Sequence, residues 1–157
     1  MKIRILAVGK IKEDYLLAAL KEYSKRISAF ADLEIVEIAE AKLSKENNSE
    51  ILLAIDKESS SIVNALNKKD YNVLLDSGGK DLDSLKLAQH FAAAQQTNSS
   101  FTFIIGGSYG VNDLLKKRVN LRLSFSKLTF PHQLVRVMLV EQIYRIFKIN
   151  NNQMYHK

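Results

Sequence analysis

Three short stretches hold residues whose types and spacing suit chemistry: "LLDSGGK" (74–80), "IIGGSYG" (104–110) and "SFSKLTFPH" (124–132). Each reads as the end of a strand followed by a loop rich in Gly, Ser or Thr. One glycine pair asks for no more than a tight turn. Three such loops beyond the carboxyl ends of strands point to a cofactor cleft whose ligand approaches bare main chain. The third stretch contains the chain's only proline, Pro131, followed by His132, and runs into "QLVRVMLVEQIYRIFKI" (133–149). Projected as a helix, Val135, Leu139, Val140, Ile143, Ile146 and Phe147 form one broad apolar face. Arg136 falls near the middle of that face. A buried guanidinium needs a carboxylate, a phosphate or a subunit boundary, and all three stay open. Glu141 and Arg145, four apart, suit a surface pair.

Several cofactor classes lack their signature. The first strand ends in "VGKIK", with one glycine where a dinucleotide fingerprint needs three. "SGGKDLD" has neither the spacing nor the Lys-Ser/Thr pair of a phosphate-cradling loop. His90, His132 and His156 lie far apart, which argues against a metal centre. No G-x-S-x-G elbow is present for acyl transfer.

The elements that must position these loops alternate. "KIRILAV" (2–8), "LEIVEIA" (33–39), "YNVLLD" (71–76), "FTFIIGG" (101–107) and "LRLSFS" (121–126) read as strands. A helix over Lys12–Phe30 carries Leu16, Ala19, Leu20, Tyr23, Ile27 and Phe30 at three- and four-residue spacing. After a polar, exposed stretch, "EAKLSKENNSE" (40–50), a helix turns Ile51, Ile55, Ile62 and Leu66 inward. "SGGK" reads as a turn. Asp83 or Ser84 caps a helix to about Gln96, "DLLKKR" is a short helix, and the last helix follows Pro131. Strands alternating with helices predict a parallel sheet with helices on both faces, and periodicity alone gives a plain doubly wound order. Leu134, Val137 and Met138 lie opposite the main apolar face of the last helix. A helix apolar on two sides predicts a second covering surface, a second copy of the chain.

At 157 residues the chain predicts one domain spanning 1–157. The absence of cysteine, an N-terminus too short in its apolar part for a secretory signal, and no apolar run of membrane-spanning length lead to the expectation of a cytoplasmic protein. A formal net charge of +6 favours an acidic partner, nucleic acid first. Lys2, Arg4, Lys10, Lys12, Lys116, Lys117, Arg118 and Arg122 are candidates for that contact, unranked.

"LAVGK" near the start, "IIGGSYG", "LSFSKLTFPHQLVRVMLVEQIYRIFKI" and the final "YHK" together resemble the small SPOUT-class methyltransferases of the RlmH family. The resemblance spans the whole chain and is most specific in its last third. The loop around 40–50 and "NNNQM" (151–154 with the preceding Asn150) depart from the family pattern, as does Lys157 where some relatives carry arginine. The resemblance implies a SPOUT-type α/β fold: a mostly parallel sheet of about five strands, helices on both faces and a deep C-terminal trefoil knot. The knot replaces the plain doubly wound order.

It further implies methyl transfer from S-adenosylmethionine to N3 of a pseudouridine in 23S ribosomal RNA, in the helix 69 loop, on the assembled ribosome, by a homodimer without metal. Carried over residue by residue, the cofactor positions are Leu75, Gly106, and Phe125, Ser126, Lys127, Leu128, Thr129 and Phe130. The tail, Tyr155, His156 and Lys157, is expected to reach the partner subunit's cofactor. Arg136, His156 and Lys157 are expected to bind RNA phosphates and the developing anion. His132, Glu141 and Tyr155 are candidates to orient or deprotonate the base. Two rival classes are a non-catalytic ribosome-binding factor and a flavodoxin-like, nucleotide-dependent oxidoreductase.

Overall fold

The structure, a computed structural model, describes residues 1–155. Five strands form one sheet: β1 (Lys2–Val8), β2 (Asp32–Ile38), β3 (Tyr71–Asp81), β4 (Ser100–Ile105) and β5 (Leu121–Ser124). Five helices connect or follow them: α1 (Asp14–Ile27), α2 (Asn48–Ala65), α3 (Ser84–Gln95), α4 (Asp113–Lys116) and α5 (His132–Asn150). The strand order is β2-β1-β4-β3-β5, and all four neighbouring pairs are parallel. This is the α/β architecture that strand–helix alternation predicts, with the sheet wholly rather than mostly parallel.

Period-two alternation within the strands sorts residues to two faces. Ile3, Ile5, Phe101, Phe103 and Leu123 face α1, α3 and α5, where Leu20, Phe91, Val140 and Phe147 complete a large core. Leu6, Val8, Leu74 and Ile104 face the other way and pack with Ile62 of α2 and Leu115 of α4. Each fully buried Leu, Ile or Phe contributes about 1.5–3 kcal/mol relative to exposure. Both faces of β1 and β4 are covered, which is why these strands are apolar at nearly every position.

Element boundaries move inward from their expected places. The first helix spans Asp14–Ile27 rather than 12–30, and β4 and β5 each stop two residues early. The larger correction is "SGGK", which is not a turn. Val73, Leu74 and Leu75 pair with Leu121, Arg122 and Leu123, and pairing resumes with Lys80 on Leu123 and Asp81 on Ser124. Residues 76–79 therefore bulge from a strand that continues. Gly79 makes this possible. A side-chain carbon there would stand 2.6 Å from the Arg122 carbonyl carbon, so only glycine lets the bulge lie against β5.

The buried stripe of α2 also differs from expectation. Ile62 is buried, but Ile51, Ile55 and Leu66 are half-buried, and Ala54, Glu58 and Ser59 take the interior positions. The polar pair is tolerated because each has a partner: Ala41 N–H donates to Glu58 at 2.9 Å, and Asn112 N–H donates to Ser59 at 3.0 Å. At the helix starts, Asn47 and Asp83 accept from the amides of Glu50 and Lys86. Pro131 stands directly before α5, where its missing N–H has no cost. The buried face of α5 is the expected one, with Arg136 among Leu139, Val140, Ile143, Ile146 and Phe147.

Candidate functional site

The strand order sets β4, β3 and β5 side by side, so the loops leaving their carboxyl ends meet. They enclose a cleft of about 420 Å³. Leu75 lines it at the start of the β3 bulge, Gly106 directly after β4, and Phe125, Ser126, Leu128, Thr129 and Phe130 from the segment joining β5 to α5. Lys127 belongs to the same segment but is exposed and is not among the residues lining the cleft. Asp76, Ser77, Tyr109 and Lys116 add further polar groups, so the wall is mixed in character. Such a cleft suits a ligand with a flat ring at one end and charged groups at the other.

The loop after β4 closes on itself through a Gly110 N–H to Gly107 carbonyl bond of 3.0 Å. Glu58 braces it from behind. A side-chain carbon on Gly107 would run into the Glu58 carboxylate, which would have to swing aside. Burial pushes the Glu58 carboxyl above its ordinary range, helped by the charge of Glu40 and opposed by the Ala41 N–H bond.

His132 also lines the cleft. Its Nε2 is buried, has no hydrogen-bond partner among the described residues, and lies over Gly9 beside the Glu40 carboxylate. One helical turn on, Arg136 is 1% exposed. Its Nη1 donates to Glu37 at 2.7 Å and its Nη2 to the Gly9 carbonyl at 2.9 Å. Of the three partners left open by the sequence, the carboxylate is the one present. Arg136 thus ties α5 to the ends of β1 and β2 from beneath the site, with both terminal nitrogens engaged.

Glu141 stands elsewhere. Nine residues beyond His132 on one helix, it is displaced by about 13 Å along the axis. It accepts from Arg145 at 2.7 Å, the expected pair, and also from Gln142 and from the Tyr155 hydroxyl at 3.2 Å. The Tyr155 ring packs edge-on against Tyr144 at 5.0 Å and under the Arg145 guanidinium at 4.8 Å. Burial, with the Glu141 charge, pushes its phenol up to about 12. Within one chain, then, His132 joins the cleft, whereas Glu141 and Tyr155 form a separate cluster. His156 and Lys157 lie outside the described residues. Beside that cluster runs a second, more apolar groove of about 630 Å³, bounded by Tyr23, Leu87, Phe125, Val137, Met138 and Glu141.

A family model described as "Predicted SPOUT methyltransferase" matches residues 1–156. The chain belongs to the SPOUT methyltransferase family. Relatives narrow the group. A ribosomal RNA large subunit methyltransferase H from Pseudothermotoga lettingae is 47% identical over 156 residues, 99% of each chain. A protein of the same name from Malacoplasma penetrans is 44% identical over 158 residues, the whole of both. Among solved structures, the tRNA (m1G37) methyltransferase of Aquifex aeolicus superposes with a TM-score of 0.54 at 14% identity, covering 92% of this chain and 70% of that one. That likeness supports the SPOUT fold alone. Family membership sets aside the oxidoreductase reading.

Asp76, Tyr109 and Lys116, which line the cleft, and Glu37, Glu40 and Glu58, which support residues around it, are not singled out for those places by the sequence. For Glu37 a signal did exist: a guanidinium on an apolar helix face demands a counter-charge, although its address was not readable. Glu58 gave none, since a lone carboxylate on a helix reads as solvated.

Proposed function

We propose that this SPOUT family member methylates N3 of a pseudouridine in the helix 69 loop of 23S ribosomal RNA, on the assembled ribosome, as a homodimer using S-adenosylmethionine. The observation that carries the reading is the cleft itself. It gathers three strand-end loops, a wall of mixed apolar and polar side chains and open main chain, with the His132 ring among the lining residues. The names of the full-length relatives supply the substrate class.

Leu75, Gly106 and the 125–130 segment would hold S-adenosylmethionine, which supplies an electrophilic methyl group when bound. Phe125, Leu128 and Phe130 offer apolar surface to the adenine, and Lys116 offers a cation to the carboxylate end. His132, whose ring lines the cleft, takes or holds the imide proton of the target base. Arg136 and Glu37 fix the first turn of α5, and with it the direction of that imidazole. This assigns Arg136 a positioning role, because both its terminal nitrogens already have protein partners and the side chain is buried.

The second groove and the half-buried Val137 and Met138 support a second copy of the chain against α5. In that dimer the tail beginning at Tyr155 reaches the partner's cleft, with Tyr155 held as a neutral hydrogen-bond donor and His156 and Lys157 contributing cations to the RNA and the developing anion. A trefoil threading of the C-terminal segment belongs to the same reading. The position of β4 between β1 and β3, with α5 packed on both α1 and α3, supports it.

The test is direct. Purified protein is incubated with methyl-labelled S-adenosylmethionine and either intact ribosomes or deproteinised 23S RNA, and the labelled nucleotide is mapped. Label at N3 of a helix 69 pseudouridine, in ribosomes only, is expected. Label elsewhere, or equal labelling of free RNA, overturns the substrate assignment.

A further inference from the structure

We propose that a basic groove along the β5 edge of the sheet, adjoining the cleft, binds a backbone phosphate of the RNA that carries the target nucleotide. The inference rests on the RNA substrate proposed above and adds to it a place for the strand.

The groove has a volume of about 400 Å³ and is lined by Gly78, Gly79, Lys80, His90, Lys116 and Arg122, with neighbouring residues of the turn before β5. No aspartate or glutamate lines it. Lys116 lines both this groove and the cleft, so the two are continuous across one side chain. A strand whose target base enters the cleft has its next phosphate within reach of that lysine.

Some cations of the chain are answered: Lys2 and Arg4 share Glu34, Arg26 pairs with Glu22, and Arg145 with Glu141. Unpaired surface lysines are common elsewhere, and what sets the groove apart is convergence, with Lys80, His90, Lys116 and Arg122 lining one concavity. Among the described residues Lys80 has no carboxylate within 4.0 Å. Lys116 meets only Asp113, at 3.8 Å, and that side chain is 89% exposed. An exposed pair at that separation is worth little and yields readily to a better anion. Arg122 donates from Nε to the Asp76 carboxylate at 2.7 Å and from Nη2 to the Gly78 carbonyl at 3.5 Å, with Nη2 also 2.6 Å from the same carboxylate, and among the described residues it makes no bond through Nη1. This clamp fixes the guanidinium plane while leaving a donor edge free.

His90 lines the groove as well. It bonds the Tyr71 hydroxyl at 2.8 Å, and burial together with the Lys80 charge lowers its affinity for a proton. A phosphodiester fits this set: one unpaired ammonium, one loosely paired ammonium, one oriented guanidinium, and main chain bared by the β3 bulge. Of the eight cations left unranked by the sequence, Lys116 and Arg122 gain a defined site. Lys80 joins them, whereas Lys2 and Arg4 are occupied.

The test is an equilibrium titration of a fluorescent, mixed-sequence single-stranded RNA at several potassium chloride concentrations. It compares the native protein, Lys80→Gln, and Lys25→Gln as an equal-charge control on α1, none of whose residues lines the groove. Loss of one phosphate contact lowers affinity and flattens the dependence of log Kd on log salt by about 0.7. Lys80→Gln is expected to show that flattening with a roughly threefold to tenfold weaker Kd at low salt, and Lys25→Gln neither. Polyglutamate of matched charge serves as competitor and should displace the RNA poorly. An unchanged slope for Lys80→Gln, an equal change for Lys25→Gln, or displacement by polyglutamate as effective as by unlabelled RNA overturns the proposal, the last in favour of an acidic protein segment. The titration contains no methyl donor, so a failure of methyl transfer strikes the function proposed above without touching this result.

Discussion

Arg136 and Glu37, 99 positions apart in the chain, meet at 2.7 Å and join the first turn of the last helix to the end of the second strand. The guanidinium is almost wholly buried, whereas the Glu37 side chain keeps 36% of its surface. The same guanidinium caps the Gly9 carbonyl. One side chain therefore sets the relation of β1, β2 and α5 beneath the cleft, and His132 is carried on the helix it anchors.

The two partners should respond unequally. Glu37→Ala leaves a cation in an apolar interior, and the expected destabilisation is about 2 kcal/mol, below the ~3–5 of a fully buried pair because water reaches the carboxylate. Arg136→Met leaves a carboxylate that can rehydrate, and Glu37→Ala in that background should have little further effect. Denaturant unfolding of both single variants and the double variant gives the coupling directly. Additive losses would separate the two residues energetically.

Glu58 yields a pH prediction whose sign follows from its environment. Its carboxyl is raised by burial, so the fold favours the neutral form. That stability is fully present below the ordinary value of 4.5 and is lost as pH rises through the folded value. Glu58→Gln keeps an acceptor for the Ala41 amide and removes the titration. Its unfolding free energy should match the native protein near pH 4 and exceed it at pH 7. Glu58→Ala strips the Ala41 amide of its partner and opens a void, an expected loss of about 2 kcal/mol. A Glu58→Gln protein less stable than native at pH 7 would contradict the assignment.

Much of this site could be placed from the chain alone, and the parts that could not share a cause. The apolar runs ending at Leu75 and Ile105 mark central strands, so Leu75, Gly106 and the 125–130 segment could be set at one end of a sheet by local pattern. Lys127 could not be told from its neighbours, because side-chain direction in an irregular segment has no period. The bulge at 76–79 escaped because Gly-Gly has the same local signature whether a strand stops or merely detours. Only the pairing of Lys80 with Leu123 decides, and that is a long-range fact. Glu37 and Glu58 were invisible for the same reason: a buried carboxylate is defined by the donor that meets it. The threading of the chain came from family resemblance and from no physical signal in the residues.

Leu128 supplies a test of the cleft that leaves the fold alone. Its side chain is 71% exposed, yet it stands at the cleft wall between Ser126 and Phe130. A bound adenine would cover it. Leu128→Ala should change unfolding stability by less than about 0.5 kcal/mol. Removing buried methyl groups from the complex should weaken S-adenosylmethionine binding about fivefold to tenfold. Calorimetric titration measures the second effect and thermal unfolding the first. Native affinity in the variant would move the adenine site away from the third loop.

Tyr155 gives the last prediction, and it decides what the tail can do. With its phenol raised to about 12 by burial and by Glu141, the docked residue favours its neutral form and donates to Glu141. A raised phenol makes Tyr155 a poor base in the docked tail, so Tyr155→Phe should leave the pH dependence of methyl transfer unchanged while loosening the tail. The neutral form is the one the docked state favours. Docking is therefore fully held below the free phenol value of about 10, and is lost as pH rises through the docked value of about 12. Tyrosinate absorbance followed from pH 9 to 13 should show a late-ionising component, to which the raised Tyr71 and Tyr109 phenols also contribute, that shrinks by one tyrosine in Tyr155→Phe. In Glu141→Gln the nearby charge is gone while the burial remains, so the same tyrosine should ionise earlier without reaching the free value. A Tyr155 that ionises near 10 in the native protein would mean that the tail is not docked on Glu141, and would return the phenol to the list of candidate bases.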